Sequence, residues 1–162
     1  MVDLVRQQHR TGRAVAALLA ADGLAHLYWA TGLTWPAADE RALSRAVLGS
    51  EVSFGPQVVL PLAVLLFTGA AAVWARSRGR GGRLATLVVF GVAAGLLVRG
   101  TAGLAWVCGA DNGGGPVFFR LNLFLYTPVC LGFGWAAVRL LVRDRRGRAN
   151  RGVRRGELLG DH

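Results

Sequence analysis

Asp22, His26 and Trp29 are spaced four and three residues apart, so on a helix they share one face. A carboxylate one turn before an imidazole can orient it and ready it to bond or to pass a proton. Farther along, apolar runs hold Arg99 and the pair Asn122 and Tyr126, again four residues apart. Arginine is a fixed cation for carboxylate, phosphate or carbonyl oxygen, while asparagine and tyrosine add neutral hydrogen bonds. These residues could bind a molecule with one polar end, or run acid–base chemistry on it through Asp22, His26 and Tyr126.

Other chemistries find less footing. The stretch "GRGGR" lacks the Lys-Ser/Thr of a phosphate loop and follows an apolar run instead of a strand. His9 and His162 belong to the chain ends, so no metal set forms around His26, and no cofactor is expected. Cys108 and Cys130 form no CxxC pair and read as small apolar fillers, with no disulfide expected.

The elements that must position the polar residues follow from composition. The chain has 162 residues, is 53% hydrophobic with 23 glycines, and still carries a net charge of +10. Apolar spans with charge confined to their ends account for that combination. Four runs, at about 13–33, 57–75, 84–107 and 121–142, approach the ~20 residues a bilayer crossing takes. The backbone must satisfy itself in lipid, so each run should be a helix. The expected fold is an all-α, polytopic membrane protein: a four-helix bundle over 1–142 and a basic, disordered tail over 143–162. A cleaved signal peptide is the rival reading of the first run, but Asp22 and His26 interrupt its core.

All 19 basic residues are arginine, and fifteen lie in the N-terminal segment, the "RSRGRGGR" loop and the stretch from Arg139 onward. Four spans put those three segments on one side, which the positive-inside rule makes cytoplasmic. The expected location is the bacterial cytoplasmic membrane, both termini inside. The partners are membrane lipid, with anionic headgroups at the tail. Topology already explains the charge, so nucleic acid is not an expected partner. A homodimer stays open. In the external loop from Thr34 to Pro56, "ADERALSRAVLG" predicts a short helix. Asp39 would cap it, and Leu43, Val47 and Leu48 would share its apolar face.

Counted from the cytoplasmic ends, Asp22 lies ~14 Å deep, His26 ~20 Å and Arg99 ~22 Å. Asn122 and Tyr126 enter from the other side, so all five should meet in the outer half of the bilayer. The third run has eleven Leu, Val or Phe residues to offset Arg99, whereas the first has six against an Asp and a His. Arg99 is therefore the expected counter-ion of Asp22. Gly91, Gly95, Arg99 and Gly103 recur every four residues and should turn the Arg99 face toward a neighbouring helix. Pro128 should kink the fourth span near Tyr126.

Three functions remain. The leading one is a pocket for an apolar or lipid-like ligand. Arg99 would hold its anionic or carbonyl group, His26 and Tyr126 would hydrogen-bond it, Trp29 would pack on its apolar part, and Asp22 and Asn122 would complete the pocket. The second is a small enzyme acting on a lipid, isoprenoid or quinone. The third is a non-catalytic assembly subunit in which an Asp22–Arg99 pair clips helices together.

The blocks "HLYWATGLTWP" (26–36), "LVRGTAGL" (97–104) and "FFRLNLFLYTPVCLGFG" (118–134) resemble an uncharacterised bacterial family, domain-of-unknown-function family 3995. Its pattern of a His before Tyr-Trp-Ala, an Arg in the third helix and a Tyr-x-Pro in the fourth maps onto His26, Tyr28, Trp29, Ala30, Arg99, Tyr126 and Pro128. The resemblance covers most of 15–140. It implies four membrane helices and no particular activity. Members often carry an Asp shortly before the Tyr-x-Pro, where this chain has Asn122.

Overall fold

The computed structural model describes residues 2–110 and 115–142. The predicted basic tail and residues 111–114 of the loop "GADNGGGP" lie outside the described residues. Five helices follow in order: α1 Val2–Ala30, α2 Glu40–Leu48, α3 Pro56–Ser77, α4 Arg83–Val107 and α5 Pro116–Val142. Prolines open α3 and α5, at a first turn whose N–H has no helical partner in any case. Glycines at positive φ end the helices or turn the chain: Gly32 at 86° after α1, and Gly79 and Gly81 at 69° and 91° between α3 and α4. In that turn Arg76 is buried, and its guanidinium donates to the Gly81 carbonyl at 2.9 Å.

The long helices pack antiparallel in chain order. Gly12 meets Ser77 and Gly23 meets Phe67 where α1 runs along α3. Gly69 meets Val92 between α3 and α4, and Gly100 and Gly103 meet Leu131 and Thr127 between α4 and α5. Gly134 returns the contact by seating Leu97. Small residues let backbones come this close. The glycine stripe is thereby corrected. A Cβ at Gly91 or Gly95 would meet nothing within 4 Å, so those two face outward, and the face that packs on α5 runs through Gly100 and Gly103.

One core cluster joins all four long helices through Val15, Leu19, Val73, Val89 and Leu140. A second sits at the other end, where Leu43 of α2 meets Phe54 and Val59, with Trp29 and Val47 beside them. Asp39 caps α2 as expected, accepting from the Ala42 N–H at 2.7 Å, and Gly49 ends it at φ 76°. Ser44 and Glu40 fasten α2 to the following segment. Ser44 donates to Ser50 and accepts from the Val52 N–H, and Glu40 accepts from the Phe54 N–H. Leu48 departs from the expected face and is exposed. It lies five residues past Leu43, about 140° round the helix.

Three helices, α3, α4 and α5, are long and apolar enough to cross a membrane, with mean hydropathy 2.2, 1.9 and 1.5. Less than a third of each such stretch is buried, at 28, 22 and 22%. Leu65, Leu87, Phe90, Val98 and Phe124 point outward, as they would toward acyl chains. α1, the expected first span, is 29 residues long but falls short of that apolar mark among the described residues. Arg13, Asp22 and His26 are the cause.

In α5 the ladder breaks where Pro128 was expected to disturb it. Asn122–Tyr126 form a π-helical turn, and the Thr127 N–H bonds back to the Asn122 carbonyl. Pro128 has no N–H to continue the regular pattern.

Candidate functional site

Arg99 sits two turns before the C-terminal end of α4 and reaches across two elements. Its Nη1 donates to Asn122 Oδ1 at 2.9 Å, and its Nη2 points at the Val47 carbonyl at 3.4 Å. Val47 lies in the last turn of α2, where unpaired carbonyls favour a cation. The guanidinium also lies 5.1 Å from the ring centres of both Trp106 and Tyr126. Asn122 is fully buried. Its amide nitrogen donates to the Phe118 carbonyl at 3.0 Å, which leaves the oxygen for Arg99. One cation thus ties α2, α4 and α5 together through neutral acceptors and aromatic faces.

The expected Asp22–Arg99 ion pair is not formed among the described residues. Asp22 belongs to His26 instead. The imidazole Nδ1 lies 2.9 Å from the Asp22 carbonyl and 3.4 Å from its carboxylate. A carbonyl only accepts, so Nδ1 carries the proton. The reason for the different pairing is the helix order: α1 packs mainly along α3, while α4 packs on α3 and α5. Asp22 and Arg99 therefore project from helices diagonal to each other. The Asp22 side chain is 51% exposed on the bundle surface, and that of His26 14%.

Trp29 packs edge-on against His26 and Phe54, and its indole N–H donates to the Trp35 carbonyl at 3.3 Å. It also lines an open cavity of about 790 Å³ between the end of α1, α2 and the first turns of α5. Ala42, Ala46, Val47, Phe118 and Tyr126 line it too, and its walls are almost wholly apolar. Of the six predicted residues, Trp29 and Tyr126 line this cavity, whereas Asp22, His26, Arg99 and Asn122 do not. Arg45 lines it as well but is paired with Glu51. No hydrogen bond to the Tyr126 hydroxyl is formed among the described residues.

A family model described as a protein of unknown function (DUF3995) matches residues 18–137. The chain belongs to the DUF3995 family. No curated protein and no solved structure matches it. The DUF3995 region takes in all six predicted residues and the whole cavity wall.

Sequence reasoning missed three contributors to the candidate site of this chain. Trp106 stands seven residues after Arg99, two turns along the same face, and that spacing could have flagged it. The Val47 carbonyl is backbone and carries no residue-type signal. Thr127 is buried against Gly103 with its hydroxyl unpaired, and only the π-turn and the α4–α5 approach bring it there. Cys108 is exposed and Cys130 half-buried, both as free thiols. Among the described residues no three His, Cys, Asp or Glu side chains gather closely enough to hold a metal ion.

Proposed function

We propose that this DUF3995 protein is a four-span membrane protein with both ends cytoplasmic, and that the cavity beside α2 holds an apolar or lipid-like molecule near the outer leaflet. Support for the fourth span comes from α1 running antiparallel along α3 for its length, so that α3 shields much of one side. The distribution of arginine supports the orientation. The basic tail would then lie against anionic headgroups of the inner leaflet.

One observation carries the ligand reading: an apolar cavity with the Tyr126 side chain in its wall. Such a wall suits a mostly hydrocarbon molecule bearing an acceptor oxygen such as a carbonyl, ester or ether. Arg99 lies over the Tyr126 ring and draws on its electrons, which strengthens the phenol as a donor. Arg99 itself is committed to Asn122 and Val47, so its part is to position Tyr126. Trp29 supplies packing surface. The Asp22–His26 pair lies off the cavity, and this gives the enzyme reading less support than ligand binding.

The test is native mass spectrometry of the full chain released from membranes in a mild detergent. Tyr126→Phe is expected to weaken retention of the co-purified apolar molecule about tenfold, the worth of one hydrogen bond. Ala46→Phe, which fills the cavity, is expected to abolish retention. Neither change should alter thermal stability much. If both variants retain the same molecule as the parent chain, the ligand reading fails. The assembly-subunit reading, favoured by the Arg99 network that fastens three helices, then takes its place.

A further inference from the structure

A second site lies at the opposite end of the bundle. There α1 and α3 leave an open groove of about 590 Å³, lined by Arg13, Ala17, Ala20, Ala70, Ala71 and Trp74. Ala70 is on the floor, buried, while Ala17 and Ala71 are exposed along the walls. The Gly12–Ser77 contact holds Arg13 level with the last turn of α3. Trp74 brings a second cation, for the Arg78 guanidinium lies 4.4 Å from its ring centre. Neither Arg13 nor Arg78 has an acidic partner among the described residues.

We infer that this groove binds one anionic phospholipid of the cytoplasmic leaflet, with an acyl chain along the alanines and the phosphate between Arg13 and Arg78. Three features fit that occupant together. The groove is apolar along its length, which suits a hydrocarbon chain and leaves no polar group of the protein unpaired by it. Arg13 lines the groove and Arg78 adjoins it through the Trp74 ring, and arginine forks match phosphate oxygens. A tryptophan stands at the mouth, the residue that settles at headgroup depth. A leucine or phenylalanine at position 17 or 71 would fill the space that the alanines leave. The inference rests on the membrane location proposed above, but not on the cavity beside α2 or on Tyr126.

The experiment uses the full chain in detergent micelles, titrated with phosphatidylglycerol, phosphatidylcholine or inorganic phosphate, and read by native mass spectrometry and thermal melting. The expected result is one tightly held phosphatidylglycerol, which raises the melting temperature, against weak phosphatidylcholine binding and no effect of inorganic phosphate. The double variant Arg13→Gln/Arg78→Gln is expected to weaken phosphatidylglycerol binding about thirtyfold, two headgroup contacts being lost. Ala17→Leu/Ala71→Leu is expected to lose it while leaving the charges in place. Arg120→Gln, a cation at the far end, should change nothing. Equal retention of the two phospholipids would overturn the inference, and so would protection by inorganic phosphate alone. Undiminished binding in both double variants would do the same. A variant that fails to fold is replaced by the single changes Arg78→Gln and Ala71→Leu, both on exposed positions, which are expected to show part of each loss.

Discussion

The two ends of the bundle are built differently. At the Gly12–Ser77 end, four helices interlock through buried aliphatic side chains, and the buried Arg76 and Ser77 bond to nearby backbone carbonyls of the same turn region. At the α2 end the helices spread around an open cavity. Cohesion there comes from Arg99, Asn122 and the carbonyl end of α2, together with a smaller cluster around Leu43. Aliphatic packing tolerates no empty space, because each missing contact is lost outright. A directional network can hold helices apart at fixed points and leave room between them. The comparison teaches that room between several helices is compatible with a stable fold when polar contacts, not side-chain volume, set the helix spacing, whereas the aliphatic end leaves only a surface groove between α1 and α3.

The contrast can be broken at either end. Leu19→Ala should cost about 3 kcal/mol, since the residue is enclosed by three other helices and the void cannot collapse. Denaturant unfolding in micelles measures it, and retention of a guest beside α2 should be unaffected. Asn122→Leu should cost about 2 kcal/mol, because it strands a guanidinium that has lost its nearest acceptor. Here both stability and guest retention should fall, and Asn122→Asp should recover most of the stability. If the guest is retained in Asn122→Leu, the network does not set the cavity.

Smaller changes sharpen the comparison. Gly103→Val forces a side chain into Thr127 and should cost about 2 kcal/mol. Gly91→Val on the outward face should change stability by less than about 0.5 kcal/mol. Equal effects would restore the four-residue stripe as the packing face. Asp39→Ala should remove about 1 kcal/mol from α2 alone. Hydrogen exchange should then quicken over residues 40–48, with the global midpoint nearly unmoved.

Local features were legible in the sequence. The Asp39 cap, the disturbance before Pro128 and the Asp22–His26 spacing all depend on neighbours within about one turn. The partner of Arg99 was not legible. Depth counting brought it level with His26, but depth says nothing of which helices are adjacent, and α1 and α4 turned out diagonal. The glycines misled for a related reason. A repeat of four drifts round a helix, so the repeat alone does not say which part of it meets a neighbour. The family likeness was carried by short blocks, and the matched model over 18–137 bears it out.

Composition by itself determined that this chain is helical and that α3, α4 and α5 suit a bilayer, because backbone in lipid has few ways to satisfy itself. It also determined which residues could do chemistry. Only the tertiary structure decided which of them meet, giving Asp22 to His26, Arg99 to Asn122, and Tyr126 to the cavity. The physical reason is that pairing across helices depends on their order and rotation in the bundle, which many weak packing contacts set together and no single residue encodes.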